Sequence, residues 1–143
     1  MIIRTMNIAD YHEVYRLWTE TQGMGMRSMD DSQCGIVKFI SRNPSTNFVA
    51  EHQNRLVGVI LCGHDGRRGY IYHAAVHGEY RHRGIGKALV TEVLKALENE
   101  QINKVALVAY KTNETGNHFW SSMGFTVRDD LVYRNLSINS DNV

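Results

Sequence analysis

The sequence changes its period at Gly84. Upstream, Asn47–Glu51, Leu56–Cys62 and Tyr70–Val76 are short apolar runs separated by turn residues, the pattern of strands. Downstream, Ile85, Leu89, Val93 and Leu97 recur at steps of four as far as about Asn99. Ala88 and Ala96 lie on the same side, while Glu92, Lys95 and Glu98 face water, so an amphipathic helix is predicted. A further strand, Lys104–Ala109, follows it. Strands joined by short turns pair antiparallel, whereas the two strands flanking the helix must be parallel neighbours. One mixed sheet with helices on its faces results.

The rest of the chain fits around that unit. Ile2–Met6 reads as a short first strand, and Asn7 with Asp10 resembles a capping box. Tyr11, Val14, Leu17 and Trp18 continue at helical spacing to about Thr21. Gly23–Met26 is an apolar loop, and a second helix is predicted from about Asp31 to Ser41, with Ile36, Val37 and Ile40 inward. His52–Arg55 and Gly63–Gly69 are turns. Glu114–Met123 is a short helix ended by Gly124. Phe125–Val127 and Leu131–Ile138 are predicted to close as a hairpin, and the last, polar residues to fray. The fold class is therefore α+β: a mixed, mostly antiparallel sheet of about seven strands flanked by four helices, in a single domain spanning 1–143.

Composition narrows the function. A chain of 143 residues has room for one ordinary domain. Sixteen Lys and Arg against fifteen Asp and Glu leave a net charge of +1, which argues against a nucleic-acid binder. No apolar run is long enough to span a membrane, and Met1-Ile2-Ile3-Arg4 breaks too early for a secretory segment. Cys34 and Cys62 have no metal-site spacing, and the seven histidines show no ligand pattern. Two reduced thiols, no metal and a cytoplasmic location are expected.

The chemistry concentrates in Val76-His77-Gly78-Glu79-Tyr80-Arg81-His82-Arg83-Gly84-Ile85-Gly86-Lys87. This segment joins a strand to a helix start, where free N–H groups and the helix dipole attract anions. Arg81, Arg83 and Lys87 oppose only Glu79, so a phosphate or pyrophosphate ligand is predicted. Neither familiar phosphate motif matches: Gly86-Lys87 is followed by Ala88, and position 89 is Leu where the dinucleotide fingerprint has Gly.

Arg81-His82-Arg83-Gly84-Ile85-Gly86 resembles the Arg-x-x-Gly-x-Gly pyrophosphate loop of the GCN5-related N-acetyltransferase (GNAT) superfamily. Asn113 followed by Phe119-Trp120-Ser121-Ser122-Met123-Gly124-Phe125 is similar to a second signature of that family. The element order agrees throughout, and Asp65–Ile85 looks like the small bacterial YpeA-like members. The resemblance implies transfer of an acetyl group from acetyl-CoA to a primary amine of a small molecule or peptide, by direct attack on the thioester. It implies that the strands on either side of the helix splay apart, and that pantetheine lies along the main chain of Ala75, Val76 and His77. The amides of Arg81, His82, Arg83, Gly84, Ile85, Gly86 and Lys87 would hold the diphosphate. Asn113 would bond the pantetheine arm, and Phe119 would pack on it. Homodimers are implied too, since relatives often pair.

Acetyl transfer requires a neutral amine, a polarised carbonyl and a route for the thiolate's proton. The family's usual side chains are replaced here. Trp120 stands where many members carry a Tyr acid, and Val108 where some carry a Glu. Tyr70 and Tyr72 fill positions where relatives place a base. Candidates for catalysis are Tyr72, His73, Glu79 and Trp120, with Tyr70 in the amine pocket and Tyr110 or Tyr133 as substitute acids. The departures also allow another reading, a non-catalytic acyl-CoA-binding sensor or partner module.

Overall fold

A computed structural model describes all residues, Met1–Val143. Five strands lie in the sheet in chain order: β1 (Ile2–Thr5), β2 (Phe48–His52), β3 (Arg55–His64), β4 (Gly69–Val76) and β5 (Val105–Ala106). The first three junctions are antiparallel and β4–β5 is parallel, as the turn lengths and the crossover helix predict. Gln53 and Asn54, both with positive φ, form the two-residue hairpin turn between β2 and β3. In the β3–β4 turn, Asp65 Oδ1 accepts from the N–H groups of Arg67 and Arg68, each at 2.8 Å.

Four helices cover the sheet: α1 (Tyr11–Glu20), α2 (Gln33–Arg42), α3 (Ile85–Asn99) and α4 (Glu114–Ser122). The capping box at Asn7 is present and opens a 3-10 turn, Ile8–Asp10, that runs into α1. Arg4 grips both oxygens of Asp10 at 2.9 and 2.7 Å and reaches Glu51 at 2.6 Å, tying β1, the turn and β2 together. α2 starts two residues later than predicted, because the Ser32 hydroxyl caps it by accepting from Gly35 N–H. That leaves Asp31 outside the helix.

The sheet has a core on each face. On one, Ile85, Leu89, Val93 and Leu97 of α3 pack against Phe48, Ile60 and Ile71, and α4 adds Phe119 and Trp120 at the margin. On the other, Val14, Leu17 and Trp18 of α1 and Ile36 of α2 pack against Val49, Val59, Leu61 and Ala75. β4 changes sides part-way along. Ile60 pairs with Ala74 and Cys62 with Ile71, so Tyr72 and His73 together oppose Leu61 alone, a β-bulge. Ile71 consequently belongs to the α3 core and Ala75 to the α1 core, although unbroken alternation would put both on one face.

The sheet has five strands where about seven were predicted. Within Lys104–Ala109 only Val105 and Ala106 join the ladder. Phe125–Val127 and Leu131–Ile138 form no ladder at all. Alternating apolar residues favour extended chain, but a strand also needs an edge to pair with, and β5 presents only two residues. Val127, Leu136 and Ile138 are accordingly exposed. The final residues are docked where fraying was predicted: Asn142 Oδ1 accepts from the N–H groups of Met29 and Asp30, and Val143 O accepts from Ser28 N–H. No helix is long and apolar enough to cross a membrane.

Candidate active site

β4 and β5 pair only at Gly69–Val105 and Tyr70–Ala106, then part. From Ile71 to Val76 the edge of β4 facing β5 has no ladder partner. This is the splay the sequence resemblance implies. The edge leads to His77, a 3-10 turn at Gly78–Tyr80, and the loop into α3. φ is +61° at His82 and +80° at Gly84, on either side of Arg83. The backbone N–H groups of His82 to Lys87 donate to no protein acceptor; the first bond into α3 comes from Ala88. Six consecutive free donors at a helix start form a concave anion site. Arg81 Nε donates to Val76 O at 3.3 Å, and the Arg83 guanidinium lies 5.0 Å from the Tyr80 ring centroid.

The two loop glycines serve different ends. A Cβ on Gly84 would meet nothing within 4 Å, so the donors there are open to approach. One on Gly86 would sit 3.1 Å from the Phe119 ring, so this glycine admits α4 and not a ligand. Asn113 caps α4 by accepting from Gly116 N–H at 3.0 Å, and its amide lies against Gly23 of the α1–α2 loop. A cleft of about 360 Å³, bordered by Thr21, His77, Gly78 and Arg81, adjoins the loop. The parted edge, the open donors and the flanking cations fit a pantetheine arm ending in a diphosphate.

The bulge opens a second site on the α1–α2 side. There a cavity of about 400 Å³ is bordered by Tyr72 and His73 from β4 and by Phe39 from α2. His73 Nε2 lies 2.7 Å from Asp31 Oδ1, and its ring stands edge-on to buried Trp18 at 4.9 Å. A carboxylate can only accept, so Nε2 donates to it and Nδ1, which has no protein partner, is left to take a proton. Asp31 is itself fixed: Oδ2 accepts from Arg27 N–H at 2.7 Å, and its carbonyl accepts from the Tyr11 hydroxyl at 2.7 Å. Burial, with Cys62, Tyr133 and Asp30 nearby, raises the Tyr72 phenol above its ordinary value. Tyr72 therefore keeps its proton and can act as a donor. Tyr70 is raised by burial and by Tyr133 and Tyr72.

The structure brings Tyr72 and His73 together and separates the other two catalytic candidates from them. Glu79 is largely exposed and stands 3.9 Å from Arg55 and from His77 Nδ1, sharing no partner with His73. Trp120 packs edge-on between Phe119 and Phe125, with ring centroids 5.0 and 5.2 Å away. Asp31 reads in the sequence as a helix start and not as a site residue. No signal within the chain links it to a histidine 42 positions away.

These features are those of an acyltransferase, and the chain belongs to the acetyltransferase (GNAT) family, whose model matches residues 11–125. Acetyl-CoA is the acyl donor of that family. An acetyltransferase of Sodalis glossinidius is 30% identical over 132 residues, covering 92% of each chain. Among solved structures, the PaiA N-acetyltransferase of Thermoplasma acidophilum in complex with coenzyme A superposes with a TM-score of 0.79. It is 23% identical, and the match covers 90% of this chain and 91% of that one. Ard1 of Thermoplasma volcanium gives the same TM-score at 22% identity, over 89% of this chain and 83% of that one.

Proposed function

We propose that this protein, as one domain spanning 1–143, transfers an acetyl group from acetyl-CoA to a primary amine of a small molecule or peptide, in the cytoplasm and as a homodimer. The observation that carries this reading is the continuity of β4. Its bulge presents His73 to the acceptor cavity, and its parted edge runs about 10 Å further to the anion loop, three residues on at strand spacing.

When bound, acetyl-CoA supplies a thioester carbonyl for the amine to attack. The main chain of Ala75, Val76 and His77 lies along the pantetheine, and Phe119 with Asn113 closes the α4 side. The N–H groups of His82, Arg83, Gly84, Ile85, Gly86 and Lys87 hold the diphosphate, with the Arg81 side chain alongside. His73 Nδ1 takes the proton from the amine, and Asp31 holds the ring in the tautomer that leaves Nδ1 free. Tyr72 donates at the acceptor side, and as the C–N bond forms and the C–S bond breaks, the proton taken by His73 passes to the departing coenzyme A thiolate. Glu79 and Trp120 act at a distance, Glu79 through His77 and Trp120 by setting Phe119.

Calorimetry with acetyl-CoA and transfer of labelled acetyl to an amine panel test the reading. Binding with turnover on at least one amine is expected. Binding with no transfer to any amine would make the protein an acyl-CoA-binding module instead.

A further inference from the structure

The acceptor cavity carries a charge pattern that the transfer reaction does not use. Lys38 and Arg42 lie one turn apart on α2 and border the cavity, with Arg27 at its rim from the preceding loop. None of the three side chains forms an ion pair or a side-chain hydrogen bond in the protein. Two acids, Asp30 and Asp31, lie beside them and meet other groups. Asp31 holds His73 and the Arg27 N–H, and Asp30 accepts from Asn142 Nδ2 at 3.0 Å while Asn142 Oδ1 accepts from Asp30 N–H. Three cations thus border the cavity against two carboxylates, and none of the three side chains is paired with either carboxylate.

The groups around the cavity suit two different partners. His73 and Asp31 offer a proton acceptor, which suits the amine. Lys38, Arg42 and Arg27 offer only donors and positive charge, which suits a carboxylate or phosphate group. Phe39 and Tyr72, edge-on with ring centroids 5.4 Å apart, add aromatic surface to the same cavity. A polyamine would bring several further cations to a cavity whose three cations already outnumber its two carboxylates.

We propose that the acceptor is a small zwitterionic amine, one that carries an anionic group held by Lys38, Arg42 and Arg27 while its amine faces His73. This rests on the N-acetyltransferase reading and specifies its substrate class. The test uses matched amines that differ in that group: β-alanine against β-alaninamide, glycine against glycinamide, and phosphoethanolamine against ethanolamine, with spermidine as a cationic comparator. The anionic member of at least one pair should have about tenfold higher kcat/KM, the size expected of two solvent-accessible charge contacts. The double variant Lys38→Gln, Arg42→Gln should erase that preference, mainly through KM, and acetyl-CoA calorimetry on it reports an intact fold. Preference for spermidine or for the uncharged members overturns the proposal while leaving the N-acetyltransferase reading in place. So does a preference that survives in the double variant. Transfer to none of these amines, with acetyl-CoA still bound, counts against both.

Discussion

His73 Nε2 and Asp31 Oδ1 stand 2.7 Å apart although 42 positions separate them in the chain. A histidine so held has one nitrogen committed and one free. His73→Gln should lower kcat by about two orders of magnitude, the usual scale of a lost general base. Asp31→Asn should cost less, about tenfold, because the amide still accepts at one atom but no longer fixes the tautomer. Acetyl-CoA affinity by calorimetry should be unchanged in both. A loss confined to acetyl-CoA binding would place the pair in the cofactor site instead.

Gly84 and Gly86 should fail differently. Gly84→Asp puts a carboxylate on the open face of the anion loop and should weaken acetyl-CoA binding by about tenfold, or ~1.4 kcal/mol. Its backbone strain at φ +80° adds about 1 kcal/mol of lost stability. Gly86→Val drives a side chain into the Phe119 ring and should lower stability by about 1–3 kcal/mol. Thermal melts alongside calorimetry separate the two effects.

Trp120→Tyr should leave acetyl-CoA affinity largely intact, since a second aromatic ring can fill the same edge contacts with Phe119 and Phe125. Single-turnover acetyl transfer would then show directly whether a phenol at this position raises the rate. A large fall in affinity would mean that the indole touches the cofactor.

The Arg4–Asp10 pair makes stability depend on pH. Burial alone would raise the Asp10 carboxyl, but hydrogen bonds from Arg4 and from Asn7 N–H outweigh it and hold the group below its ordinary value. A carboxyl depressed in the folded state contributes stability that is complete above the unfolded value, near pH 4, and is lost as pH falls through the folded one. Asp10→Asn should therefore be less stable than the parent at pH 7 by about 1–3 kcal/mol. That gap should narrow towards pH 3 in urea titrations. A gap independent of pH would show that the carboxylate charge contributes nothing.

Much of this is legible in the sequence, for local reasons. Ile85, Leu89, Val93 and Leu97 are buried where their spacing puts them, and the free donors before them follow from a helix start preceded by Gly84. What escaped depends on partners far away in sequence. Asp31 resembles a capping residue until His73 is beside it. Gly86 looks like room for a ligand until Phe119 arrives from α4. Leu131–Ile138 alternates like a strand, yet alternation says nothing of whether an edge is there to receive it. The bulge at Tyr72–His73 is unmarked too, since Ile71-Tyr72-His73-Ala74 contains no glycine or proline to announce it.

That bulge makes β4 one residue longer than its partner without moving either core. Removing Tyr72 or His73 would leave one residue between Ile71 and Ala74 instead of two, which restores regular alternation with Ile71 and Ala74 still on the α3 face and Ala75 still on the α1 face. What would go is one of the two adjacent side chains that the bulge turns to the α1–α2 side. A single-residue deletion here should therefore spare the fold and cost the site, because the extra residue belongs to the cavity and not to the packing.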